Sequence, residues 1–207
     1  MMRLQLRDGE TAVVGYGSLL SRPSVEKTLK RAYQRPFVPC HVEGWRRSWD
    51  VAMPNQAFYY VEEHDRIYPQ EILYLNVRPL PASLLNVVLF VVTSDEVATM
   101  HQREWIYDPV VVTDRLRGVQ VEGGNAILYV AKREYVRRDA QSPREAAIRA
   151  SYLRILDHGL QERDSAFRDT YAGTTDPVPE HLVVEDTLDP DRQNPWQVTP
   201  VSRSGSR

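Results

Sequence analysis

Thr11-Ala12-Val13-Val14-Gly15-Tyr16-Gly17-Ser18-Leu19-Leu20 is the stretch on which the reading of this chain turns. Its first four residues are β-branched or small, as a short strand requires, and the glycines behind them relax the backbone into a turn at the strand's carboxyl end. A strand running into glycines invites a phosphate-binding reading, which the residues do not support. The dinucleotide fingerprint needs a third glycine where Leu20 stands, and a P-loop needs a Lys-Ser/Thr pair that is absent. Ser18 also lacks the flanking glycines of a nucleophile elbow, because Tyr16 and Leu20 hold both places. What remains is a turn whose N–H groups suit an oxyanion or a carboxylate. Taken by itself, it is equally an ordinary tight turn.

Outward from this turn, residues 23–31 read as a short helix, and strands are expected at 38–42, 57–61, 71–77, 87–92, 110–113 and 125–131, all rich in β-branched or aromatic residues. Six or more strands in 207 residues imply a barrel or a strongly curved sheet. Thr93 and Glu96 form a capping box that opens a helix ended by Pro109, with Val97, Met100, His101 and Glu104 on one face. Ser142, Pro143 and Glu145 predict a second helix start, Gly159 its stop, and Ile148, Tyr152, Ile155 and Leu156 its buried stripe. One domain is expected over residues 1–180. Residues 181–207, crowded with Asp, Pro, Ser and Arg, are expected to be an irregular tail.

Composition narrows the function classes. With 26 Lys and Arg against 28 Asp and Glu, the formal net charge is −2, which provides no bulk attraction to nucleic acid or to an anionic membrane. The partner expected is a small molecule. The longest apolar run, residues 87–93, is far shorter than the ~20 residues a membrane helix takes, and the first ten residues show no signal-peptide pattern, so a cytoplasmic protein is expected. Cys40, the only cysteine, reads as a small buried hydrophobe.

Glu104 is the residue most suited to chemistry. A glutamate on the apolar face of a helix is desolvated, and near the helix C-terminus it meets the negative end of the dipole. Both effects disfavour its charge and raise its pKa toward the range useful for proton transfer. The plainer alternatives are that Arg103 pairs with it or that it reaches water. His101 and Glu104 have a spacing that two metal ligands can share, but no third or fourth ligand accompanies them, so no metal is expected and His101 is read as lining or supporting a pocket. The runs Glu62-Glu63-His64-Asp65-Arg66 and Trp45-Arg46-Arg47-Ser48-Trp49 read as a solvated turn and as a packed strand with exposed arginines.

Gly15-Tyr16-Gly17-Ser18-Leu19 near the start and Arg103-Glu104-Trp105-Ile106-Tyr107 in the middle together resemble the γ-glutamylcyclotransferase superfamily, closer to its ChaC-like branch than to the others. Gly44-Trp45-Arg46-Arg47, and Tyr152-Leu153 followed by Gly159, are further points of similarity, and the resemblance covers residues 13–175. It implies an α+β fold, a small mixed β-barrel flanked by helices, without metal or cofactor, that forms 5-oxoproline from a γ-glutamyl amino acid, peptide or amine. It also implies that Tyr16, Gly17, Ser18 and Leu19 hold the substrate, that Glu104 moves protons, and that Tyr107 and Tyr129 stand near the pocket. Asn86-Val87 departs from the Asn-Gly of many relatives and is expected to narrow the pocket. A non-catalytic binding or sensor protein with the same fold is the alternative, a hydrolase using Ser18 ranks behind it, and the leaving amine and the oligomeric state stay open.

Overall fold

The computed structural model of the chain describes residues 2–192. The chain begins with β1 (Met2–Gln5), β2 (Glu10–Gly15), a single tight helical turn at Ser18–Leu20 and α1 (Arg22–Leu29). Then come β3 (Val38–Pro54), β4 (Phe58–Glu62), β5 (Asp65–Ile67), β6 (Glu71–Thr93) and α2 (Ser94–Arg103). The short strands β7 (Tyr107–Val111), β8 (Leu116–Arg117), β9 (Val119–Glu122), β10 (Ala126–Ala131) and β11 (Ala146–Arg149) precede α3 (Ala150–Gln161) and α4 (Ser165–Gly173). The last two strands described are β12 (Val183–Val184) and β13 (Thr187–Leu188).

β6 is the axis of the sheet. One edge of it pairs antiparallel with β3, while the other takes β11 in parallel at its start and β2 antiparallel at its end. Beyond β2 lie β10 and then β7, so the order is β12-β11-β6-β2-β10-β7 with β3 alongside β6. Register shifts between Glu43 and Trp45 and between Ser48 and Val51 bend β3, which lets two very long strands coil rather than lie flat. The result is an α+β architecture, a curled half-barrel flanked by four helices, as the sequence led us to expect. Val13, Val14, Val88, Leu89, Phe90 and Leu128 are wholly buried at its centre. Among the described residues, no helix is long and apolar enough to cross a membrane.

Several expectations need correction. The segments 71–77 and 87–92 are parts of one strand, and the strand expected at 38–42 runs on to Pro54 through Arg46, Arg47 and Asp50. α2 opens on the expected capping box, with Glu96 N donating to Thr93 Oγ1 and Thr93 N to Glu96 Oε2, but it ends at Arg103, well before Pro109. Pro109 instead sits in β7, at the edge of the sheet where a missing N–H is tolerated. Ser142 to Glu145 form only one turn, closed by Glu145 N and Ala146 N donating to Ser142 O. The residues after it are drawn into β11 by β6 and β12, so α3 starts at Ala150. Gly159 does not stop that helix. It lies inside α3 where a Cβ would come 2.9 Å from Ser21 N, so its bareness brings α3 against the turn that follows β2.

The expected irregular tail also takes structure over residues 181–192. β12 pairs with β11 and β13 with β4, and Asp186 accepts from Ser151 N at 2.8 Å and Ser151 Oγ at 2.6 Å. The remainder of that tail lies outside the described residues.

Candidate active site

The turn after β2 is tight because glycine permits it: a Cβ on Gly15 would lie 2.5 Å from Leu19 O. Leu20 N donates to Gly17 O at 2.9 Å and Ser21 N to Ser18 O at 3.2 Å, which fixes the turn's carbonyls. Its leading N–H groups are left over. Among the described residues, the N–H groups of Gly17, Ser18 and Leu19 have no hydrogen-bond acceptor, the situation of an anion-accepting nest.

Arg47 braces this turn from behind. It is wholly buried, contrary to the expectation of exposed arginines, and its Nε donates to Tyr16 O at 3.0 Å. Nη1 donates to Asn86 Oδ1 at 3.2 Å and Thr174 Oγ1 at 2.9 Å, Nη2 donates to Asn86 O, and the guanidinium stacks 3.8 Å from the Tyr171 ring centroid. Adjacent residues of a strand point to opposite faces, so Arg46 and Arg47 cannot share one. That alternation was the available signal that one of them turns inward. Asn86 thus anchors Arg47, and neither Asn86 nor Val87 lines the cavity described below. Burial lowers the Arg47 pKa to about 10, leaving it charged at neutral pH with no carboxylate paired to it among the described residues.

Glu104 occupies the C-cap of α2, where its N donates to Met100 O at 2.9 Å and its O accepts from Tyr107 N at 2.8 Å. Its carboxyl is 13% exposed, and Oε1 lies 2.9 Å from Arg103 Nε, so the pairing left open by the sequence does form. Burial raises the Glu104 pKa, with the Arg103 charge and hydrogen bond opposing it. The rest of the Arg103 guanidinium ties the site to its surroundings. Nη2 donates to Ser18 Oγ at 2.8 Å and Ser24 Oγ at 3.0 Å, and Nη1 to Ser24 O at 3.0 Å and to Thr28 Oγ1. One guanidinium therefore locks together the glycine turn, α1 and Glu104.

All seven residues singled out in the sequence line one cavity: Tyr16, Gly17, Ser18 and Leu19 from the turn, Glu104 from the C-cap of α2, Tyr107 from the start of β7, and Tyr129 from β10. Leu75 and Tyr152, not named as pocket residues, complete it. Tyr152 has the sequence pattern of a helix stripe, and nothing in the local pattern of Leu75 separates it from other strand residues. The tyrosines keep their protons, because burial pushes the pKa of Tyr16, Tyr107, Tyr129 and Tyr152 up and the nearby Glu104 charge adds to it. Tyr16 Oη donates to Tyr129 O and Tyr107 Oη to Leu75 O, each at 2.9 Å. Tyr129 Oη lies 2.9 Å from His101 Nδ1, so His101 supports the wall from the exposed side of α2. No three His, Cys, Asp or Glu residues cluster to hold a metal among the described residues. The cavity has a volume of about 30 Å³, room for a water molecule or so.

The curled mixed half-barrel thus carries a glycine turn at the end of one strand and a buried glutamate at the end of α2. Among solved structures the chain is similar to a gamma-glutamyl cyclotransferase, at 11% identity over 82% of this chain and 90% of that one, with a TM-score of 0.50. It is also similar to an uncharacterized protein from Homo sapiens, at 12% identity over 83% of this chain and 91% of that one, with a TM-score of 0.55. The chain therefore has the γ-glutamylcyclotransferase-like fold. No family model matches it, and no curated protein matches it in sequence.

Proposed function

We propose that this protein cyclises a γ-glutamyl amino acid, peptide or amine to 5-oxoproline and releases the amine. The observation that carries this reading is that one cavity is lined by Glu104, a buried carboxyl with a raised pKa, and by Gly17, Ser18 and Leu19, whose N–H groups lack acceptors among the described residues. In the reaction the substrate's α-amine gives up a proton, attacks its own γ-carbonyl, and expels a nitrogen that gains a proton. Glu104 accepts the first proton and delivers it to the leaving nitrogen. The turn's N–H groups stabilise the oxyanion that forms on the γ-carbonyl, a contribution that reaches about 3 kcal/mol per donor. Because nucleophile and electrophile belong to one molecule, proximity supplies much of the rate, and neither a protein nucleophile nor a cofactor is called for. Ser18 Oγ accepts from Arg103 and has no general base among its partners, which disfavours the hydrolase alternative.

The alternative is a binding or sensor protein with the same fold, which would take the same group into the same cavity. The cavity is far smaller than the ~300–1000 Å³ of typical ligand pockets, so its lining side chains must move apart to admit a γ-glutamyl group. Incubating the protein with γ-glutamyl dipeptides, glutathione and γ-glutamylamines, and assaying 5-oxoproline, separates the two. Release of 5-oxoproline from any of them supports the enzyme; saturable binding without product supports the sensor.

A further inference from the structure

A larger hollow lies elsewhere on the molecule, on the part of β6 and β10 that follows Leu75 and Tyr129. Its volume is about 580 Å³, within the ~300–1000 Å³ range of small-molecule sites. Val130 and Val136 give it apolar lining, Val77 borders it with its side chain turned to the buried face, Arg78, Arg133 and Arg138 stand around it, and no acidic residue lines it. This hollow and the Glu104 cavity have no lining residue in common.

Two of the three arginines are held from behind. Arg138 Nε donates to Asp50 Oδ2 at 3.2 Å, and Asp50, whose side chain is only 7% exposed, is fixed in turn by Ser48 Oγ at 2.7 Å and Asn76 Nδ2 at 2.9 Å. Arg78 Nη2 lies 3.3 Å from Asp176 Oδ2, while Arg46 Nε donates to Asp176 Oδ1 at 2.6 Å. Arg133 has no side-chain hydrogen bond or ion pair among the described residues. Three guanidinium groups therefore share two carboxylates, a fourth has none among the described residues, and neither carboxylate lines the hollow. Positive charge is left over, Arg78 and Arg138 are oriented by their carboxylates, and the remaining N–H donors match phosphate and carboxylate geometry.

We propose that this hollow binds a small organic dianion with an apolar body, a phosphate monoester or a dicarboxylate. Arg78, Arg133 and Arg138 hold the charges, and Val130 and Val136 pack the body. The site does not depend on the cyclisation reading, since it uses none of that cavity's residues.

The test is calorimetric titration of the full chain with phenyl phosphate and with phthalate, the first reporting phosphate recognition and the second carboxylate recognition. Benzyl alcohol serves as the neutral body. At least one dianion should bind with one-to-one stoichiometry at a Kd below roughly 1 mM, more weakly as sodium chloride is added. Arg133→Gln, which touches no fold contact, should weaken that binding about ten-fold, and Arg78→Gln by a similar factor. Arg138→Gln is avoided because it would strand the buried Asp50. Glu104→Gln should bind as wild type does. Absence of saturable binding by either dianion, equal binding of benzyl alcohol, or affinity unchanged in both arginine variants would each overturn the proposal. So would affinity lost in Glu104→Gln alone, which would put the ligand in the other cavity.

Discussion

Replacing Arg103 by methionine removes a cation from beside Glu104 while keeping most of its apolar stem. The two groups lie 2.9 Å apart with side chains 12% and 13% exposed, so water screens them poorly. Arg103 lowers the Glu104 pKa against the larger effect of burial. Without it the carboxylate is disfavoured further and its pKa rises. The base form of Glu104 then exists only at higher pH, so the acidic limb of the kcat/KM profile should move upward. Stability follows the same sign. A carboxyl whose folded pKa is raised costs stability as pH climbs from its ordinary value of 4.5 through the folded one, and the variant widens that interval upward. It also leaves Ser18, Ser24 and Thr28 without a donor, at a cost of about 3–5 kcal/mol, as for breaking a buried pair. Arg103→Lys separates charge from hydrogen bonding: the limb should stay near wild type although the fork of donors is lost. The profile is read from 5-oxoproline production, and the Glu104 carboxyl is titrated in parallel by carbon-13 NMR. A folded Arg103→Met protein with an unmoved carboxyl titration would refute the reasoning.

Two further outcomes test the reaction itself. Ser18→Ala should lower turnover only partly, because the turn offers backbone N–H groups and Ser18 Oγ serves as an acceptor for Arg103; an acyl group trapped on Ser18 and seen by mass spectrometry after rapid quenching would contradict this. A γ-glutamyl compound acetylated on its α-amine should give no product, since the attacking nitrogen is blocked, and comparable turnover of it would point to hydrolysis.

Elements with strong local chemistry were legible in the sequence: the glycine turn after β2, the Thr93–Glu96 capping box, and β10 with its β-branched and aromatic run. Tertiary pairing decided the rest. Ser142-Pro143 carries a helix-start signal that forms a single turn, because β6 and β12 capture residues 146–149 before a helix can propagate. β3 hides behind Arg46, Arg47 and Asp50, whose charges are neutralised or bonded by residues more than 25 positions away, such as Asp176, Asn86 and Asn76. Residues 183–188 look like tail by composition and gain structure only from strand edges that the sequence does not advertise. In the cavity, the motif residues were visible by type and order. Leu75 and Tyr152 were not, since lining a pocket and filling a core leave the same local pattern.

The most direct test of the central claim is Glu104→Gln, assayed for 5-oxoproline beside wild type on the best γ-glutamyl substrate. Glutamine is nearly isosteric and keeps hydrogen-bonding capacity but carries no proton between nitrogens, so turnover should fall by about 10⁴ or more, the upper end for a general acid/base. The thermal midpoint at neutral pH should hold or rise, because burial raises the Glu104 pKa and so penalises its charged form, which the amide never adopts. A folded variant that keeps more than about a tenth of wild-type turnover would make Glu104 a structural residue and contradict the account.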